Sequence, residues 1–297
     1  MHPTPPTAAQ ANLRGILAMV AAVGFFSLMD ALLKTLTASY PAMQVAALRG
    51  WAALPLVVLY VLWRGEARGL LRVRWPLHLL RGALNISMLA LFAYALKELG
   101  LAEAYTLFFI APLLITVLST VVLGERVRAS HWVAIALGMV GVLVALRPSQ
   151  DAFFSLGALA VLGAATGYAV SAITGRLLTR TDSSASLVFW TTALLALGAG
   201  TLAQPGWVAV QQAHWPLVAG LAVTGFLGQL AITEAFRHGQ ASVVAPFEYT
   251  ALAWGMGLDW VLWQAVPGGA TLLGGAIIIG SGLYLVRQER TQPVLPP

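Results

Sequence analysis

The chain has 297 residues, of which 59% are hydrophobic and 9% charged, with a formal net charge of +6, no cysteine and mean hydropathy +0.81. Soluble domains carry about 25% charged residues, so so much apolar surface excludes a soluble globular domain. It points to a polytopic, all-α membrane protein, and the long unbroken apolar runs exclude the alternating strands of a β-barrel. The missing cysteines remove disulfides, thiolate metal sites and cysteine nucleophiles. The positive charge lies in short loops between apolar runs, with no basic, aromatic-interleaved segment to bind nucleic acid.

Residues 1–14 are polar and proline-rich and have no signal-peptide pattern. Ten candidate spans follow, at 15–35, 42–63, 76–96, 101–123, 130–147, 155–176, 185–203, 215–236, 241–263 and 268–287; each is near the ~20 apolar residues that cross a bilayer. They divide into a first five-helix half at 15–147 and a second at 155–287, leaving a tail at 288–297 read as extended or disordered. With the N-terminus in the cytoplasm, thirteen of the seventeen basic residues fall on cytoplasmic ends: Arg14, Arg64, Arg68, Arg72, Arg74, Arg81, Arg126, Arg128, Arg176, Arg180, Arg237, Arg287 and Arg290. Lys34, Lys97 and Arg147 fall outside. The positive-inside rule then places both termini in the cytoplasm.

Residues 15–34 can be laid over 157–176, matching Gly15 with Gly157, Phe26 with Tyr168 and Lys34 with Arg176. Five spans per half is an odd number, so the second half enters the membrane from the opposite side. The expected fold is ten transmembrane helices in an inverted repeat, a build that places substrate sites near the midplane between the halves. Gly138, Gly141, Gly274, Gly275 and Gly282, and the pair Gly163 and Gly167, read as close helix contacts within a monomer or, alternatively, across a homodimer.

Charges within spans need a reason, because each costs at least ~2.5–3.5 kcal/mol at mid-bilayer. Asp30 either pairs with Lys34 at i+4 or serves as a proton or cation site. Arg49 lies ~12 Å deep at ~1.5 Å per residue. It either pairs with Asp30 or faces a wet cavity, where its planar guanidinium suits a carboxylate. Glu248, between Pro246 and Tyr249, is the candidate substrate-amine or proton site; the structural alternative is a hydrogen bond to a hydroxyl or to Gln229. Glu98, Glu103, Glu125, Glu234 and Asp259 stand at span ends and read as interfacial. Asn85 and Gln229 add uncharged polar groups, and Phe108, Tyr168, Tyr249 and Trp254 are candidate cavity walls. Pro112 and Pro246 interrupt the fourth and ninth spans and read as hinges. Motifs of metalloproteases, serine hydrolases and P-loop enzymes are absent, so an enzymatic function has no signature here.

The stretch from Leu101 to Glu125, with Pro112 and the closing Gly124-Glu125, the Gly138/Gly141 span after it, and the echo from Ala235 to Gly282 resemble the drug/metabolite transporter superfamily, and within it the EamA-type ten-helix exporters. The resemblance implies a carrier of the bacterial inner membrane. It would export amino acids, including aromatic ones, or other metabolites or toxic compounds by alternating access coupled to protons, and need no cofactor. The second half departs from the pattern: Trp263-Gln264 stands where Gly-Glu would close the ninth span, so Glu125 reads as a loop cap. The cavity is expected between the first, third, fourth, sixth, eighth and ninth spans, with one half rocking against the other.

Overall fold

The computed structural model describes residues 8–95, 98–99, 101–148 and 155–290; Lys97 and the terminal segments 1–7 and 291–297, on which the sequence reading also touches, lie outside the described residues. Helices α1 (Ala8–Thr37), α2 (Ala42–Trp63) and α3 (Trp75–Ala95) form the first three spans. The fourth is α4 (Leu101–Phe108) followed by α5 (Ala111–Leu123), and the fifth is α6 (Ala129–Leu146). The second half runs α7 (Leu156–Leu178), α8 (Ser184–Ala203) and α9 (Trp215–His238). Its ninth span is a short α10 (Ala241–Val244), a 3₁₀ segment (Ala245–Tyr249) and α11 (Thr250–Trp263); α12 (Gly269–Arg290) closes the chain. Among the described residues, nine spans are long and apolar enough to cross a membrane, and the interrupted ninth completes the set of ten.

The packing shows the inverted repeat directly. A two-fold operation that exchanges the halves maps α1 onto α7 and α3 onto α9, and α1 packs along α9 as α3 packs along α7. The same operation maps the α2–α8 and α6–α12 pairs onto themselves, and both are extensive interfaces. These self-paired crossings are where small residues are needed. A Cβ on Gly50 would lie 2.8 Å from the Cα of Ala196, and one on Gly141 would lie 2.8 Å from the carbonyl oxygen of Gly274. In lipid no hydrophobic force holds helices together, so this close backbone approach supplies the packing. The glycines of the fifth and tenth spans therefore serve contacts within one chain. The dominant contacts also join opposite halves.

The two interrupted spans break at equivalent places. Pro112 stands near the start of α5 rather than mid-helix, and Pro246 occupies the same kind of position at the start of the 3₁₀ segment. The rings of Phe109 and Tyr249 meet at the two breaks, 5.8 Å apart. Irregular backbone inside a membrane is tolerated only where protein or a cavity satisfies it. Here every residue from Ala241 to Phe247 is buried, and the hydroxyls of Thr116 and Thr250 donate to the carbonyls of Pro112 (2.9 Å) and Phe247 (2.6 Å). Both spans end in a left-handed residue, Gly124 at φ 68° and Gln264 at φ 53°. The second half thus keeps the turn geometry after losing the glycine.

The two ends of the bundle differ. At the end carrying the first and last described residues, Glu125 accepts from the backbone N–H groups of Ala241 (2.9 Å) and Ser242 (3.0 Å) and from the Ser242 hydroxyl (2.9 Å). Arg176 stands 3.9 Å from Glu125 and donates to the carbonyls of Phe236 and Arg237. Asn12 donates to Glu289 at 2.8 Å, and His131 meets the same carboxylate at 3.2 Å. His78 meets Asp182 at 2.8 Å, both side chains being buried. Glu125 is therefore the predicted cap, and Glu289, His131 and His78 are structural links. At the opposite end α11 contributes no buried residue. That end is open.

Candidate functional site

A cavity of about 360 Å³ lies in the middle of the bundle. Seven spans wall it: the first, second, third, fourth, sixth, seventh and eighth. The ninth, expected there, is absent from the lining, and the second and seventh replace it. Of the residues singled out in the sequence, Asp30, Arg49, Asn85, Phe108, Tyr168 and Gln229 all line this space.

Asp30, on α1, is open to the cavity, while Arg49, on α2, is half-buried. They feel each other's charge, but no salt bridge within 4.0 Å joins them. The direct Asp30–Arg49 pair is thus corrected to two groups that face a shared space. The alternative i+4 partner is corrected as well: Lys34 turns to Asp259 at 3.5 Å and lies 4.1 Å over the Trp263 ring. Asp259, read as a solvated end residue, is that lysine's partner. Arg49 also lies 5.6 Å from the centre of the Phe26 ring, a cation–π geometry.

Arg81 was assigned by sequence to the basic end of the third span, yet it is a wall of the cavity. Its guanidinium donates to the Thr191 hydroxyl at 2.9 Å, while its buried Nε has no partner. Room for it comes from Gly175, where a Cβ would stand 3.3 Å from the guanidinium carbon. The available signal was its depth: six residues into α3 is ~9 Å at ~1.5 Å per residue, too deep for a loop charge. Ser171 donates to the Asn85 side-chain oxygen at 2.8 Å, and both line the same cavity as Arg81. Gln229 likewise keeps a buried amide nitrogen without a partner.

Glu248 does not line the cavity. It sits behind Tyr168, whose hydroxyl donates to it at 3.0 Å, so the hydroxyl reading of its partner holds. Tyr168 also touches Phe108, with ring centres 5.6 Å apart, and forms the wall between the carboxylate and the cavity. Tyr249 is wholly buried against Gly138 and Phe109. Trp254 is 44% exposed and lies against Gly24 of α1. Neither is part of the lining. Pro112 and Pro246 mark the helix breaks and do not line the cavity.

The polar lining therefore presents two guanidiniums, one open carboxylate and two amides, set among Met29, Met88, Leu89, Phe92, Phe108 and Phe236. A dehydrated guanidinium fork matches a carboxylate in shape and charge. Apolar walls with a few convergent polar groups are the usual make-up of a small-molecule site. A ten-span inverted repeat enclosing such a cavity defines a membrane transporter.

The chain belongs to the EamA-like transporter family, whose model matches residues 13–147 and again 155–287. It is 30% identical over 278 residues to the pseudopaline exporter of Pseudomonas aeruginosa, covering 93% of this chain and 97% of that one. It is 28% identical over 281 residues to a riboflavin transporter of Vibrio cholerae, covering 93% and 94%. To an S-adenosylmethionine uptake transporter of Rickettsia prowazekii it is 24% identical over 279 residues, covering 94% of each. One solved crystal structure superposes with a TM-score of 0.82 at 22% identity, over 94% of this chain and 98% of the other, and shares the fold. The protein is a multi-pass membrane transporter of small metabolites.

Proposed function

We propose that this transporter exports zwitterionic, carboxylate-bearing metabolites, amino acids and their relatives with apolar or aromatic substituents, across the bacterial inner membrane. The observation that carries the reading is the central cavity, which Asp30, Arg49 and Arg81 all line, with no salt bridge between Asp30 and Arg49. The carboxylate of a substrate meets the guanidiniums, its ammonium meets Asp30, and its side chain lies on the Phe92, Phe108 and Met88 wall. Cationic drugs, the alternative substrate class, fit less well, because two fixed positive charges face one negative. Relatives named for pseudopaline, riboflavin and S-adenosylmethionine support a polar metabolite as cargo.

The basic residues gather at the end that carries the termini, which supports a cytoplasmic assignment for that end. The Glu125 cap on Ala241 and Ser242 then lies on the cytoplasmic side. In the alternating cycle Pro112 and Pro246 act as hinges, and Glu248 and Asp30 carry the coupling proton, Glu248 reaching the cavity through Tyr168. The test is uptake of labelled amino acids into proteoliposomes, with and without a pH gradient, against Arg81→Gln and Arg81→Lys. Truncating one side of a desolvated charge contact costs ~2–5 kcal/mol, and ~1.4 kcal/mol is tenfold. Apparent affinity should therefore fall roughly thirtyfold or more in Arg81→Gln, with partial rescue by lysine. Equal uptake by wild type and Arg81→Gln refutes the carboxylate assignment.

A further inference from the structure

A second cavity, of about 320 Å³, lies toward the end opposite the termini between α1, the fourth span, α6, α11 and α12. Its character is different. Phe109, Leu146, Leu252, Met256 and Leu258 are among its walls, and at its outer rim Lys34 is held between Asp259 and Trp263. The two cavities are not independent: Asp30 and Tyr105 line both. One open carboxylate thus stands on the boundary between a chamber with two guanidiniums and a chamber with apolar walls.

We infer that the two chambers form one elongated site, in which the substrate's carboxylate head occupies the central chamber, its cationic nitrogen sits at Asp30, and an apolar extension attached through that nitrogen occupies the outer chamber. This rests on the reading of the central cavity as a carboxylate site and adds the length and order of the ligand's parts. The order follows from the charges. An anionic group is drawn to Arg49 and Arg81, Asp30 takes the positive charge where the chambers meet, and beyond it lie the side chains of Phe109, Leu252, Met256 and Leu258, out to the Lys34–Asp259 pair at the rim. The apolar wall rewards burial at roughly 25 cal/mol per Å², so an extension of aromatic size should improve binding by tenfold or more. A compact amino acid leaves the outer chamber to water.

Gly255 provides the test. It lines the outer chamber, and a Cβ there would meet nothing within 4 Å, so bulk can be added without backbone strain. Binding of phenylalanine, N-benzylphenylalanine and N-benzoylphenylalanine would be measured by calorimetry on the purified full chain, as wild type, Gly255→Trp, Gly255→Leu, Asp30→Asn and Arg81→Gln. In wild type the N-benzyl compound, a charged secondary amine, is expected to bind at least tenfold more tightly than phenylalanine. The N-benzoyl compound, similar in size but with a neutral amide nitrogen, loses that advantage. Both Gly255 variants should bring the N-benzyl advantage down toward one while phenylalanine still binds, which also reports on folding. Asp30→Asn should reduce the preference for the amine over the amide. No N-benzyl advantage in wild type, or an advantage that survives both Gly255 variants, overturns the two-chamber site. Failure of the underlying carboxylate reading shows separately, as binding of all three compounds unchanged in Arg81→Gln.

Discussion

Glu125 closes one end of the transporter, and its removal should open that end. The side chain is 7% exposed and accepts three hydrogen bonds at 2.9–3.0 Å from the first residues of α10, with Arg176 beside it. Hydrogen bonds to a charged group contribute ~1.5–3 kcal/mol each, but three that converge on one carboxylate do not add in full. Breaking a buried charged contact from one side costs ~3–5 kcal/mol. Taking about 3 kcal/mol as the share specific to the closed state, Glu125→Ala should move the balance between closed and open ends by roughly a hundredfold. The chain contains no cysteine, so a single reporter suffices. Ile232 lines the central cavity, and in an Ile232→Cys protein a membrane-impermeant thiol reagent should react only from the side opposite the termini. Adding Glu125→Ala should make the same cysteine react from the termini side, and Glu125→Gln, which keeps one acceptor oxygen, should fall between. A lowered melting temperature with unchanged sidedness would refute the reasoning, since Glu125 would then stabilise every state equally.

Two further outcomes follow from packing and from the hidden carboxylate. In Gly274→Val the new side chain would drive a Cβ to 2.6 Å from that of Ala145, and overpacking of this kind costs ~1–3 kcal/mol; the melting temperature in detergent should fall, while Gly257→Ala, where a Cβ meets nothing within 4 Å, leaves it unchanged. In Glu248→Gln the bond to Tyr168 can persist in altered form, so exchange of substrate across equal concentrations should survive while accumulation driven by a pH gradient is lost. Retained gradient-driven accumulation removes Glu248 from the coupling role.

Hydropathy and charge placement were enough to read ten spans, their inverted repeat and the gathering of basic residues at one end, because lipid imposes length and sidedness on every span. Six residues of the site were also legible, since charged and amide groups within apolar runs are rare enough to be noticed. What escaped has a common physical cause. Helices that are apolar all round carry no phase, so nothing in the sequence says that Trp254 faces outward, that Tyr249 packs on Gly138, or that Tyr168 rather than Glu248 meets the cavity. Arg81 was lost for a different reason: the positive-inside rule explained it too readily as a loop charge. Lys34 went to Asp259 rather than Asp30 because a rule about neighbours on one helix cannot register a partner from the ninth span. The bend was visible from Pro112, which disrupts the backbone just before it, at Phe109 and Ile110, but the packing of Tyr249 on Phe109 there was not.

The interleaving of the halves constrains any motion that alternates access. Rocking residues 15–147 against 155–287 would separate α1 from α9, α2 from α8, α6 from α12 and α3 from α7, the most extensive interfaces in the molecule. A motion that keeps those pairs must carry α1 with α9 and α3 with α7, so each moving body draws helices from both halves. α2 packs on α9 as well as on α8, and α8 on α3 as well as on α2. The α2–α8 crossing, where Gly50 meets Ala196, is therefore the contact shared by both bodies and lies on the two-fold axis. A pivot there leaves the cavity residues divided: Asp30, Arg49 and Gln229 on one body, Arg81, Asn85, Phe108 and Tyr168 on the other. A zwitterion bound between Arg81 and Asp30 would span the two bodies, which is how cargo with both charges can favour the closure that a singly charged compound cannot.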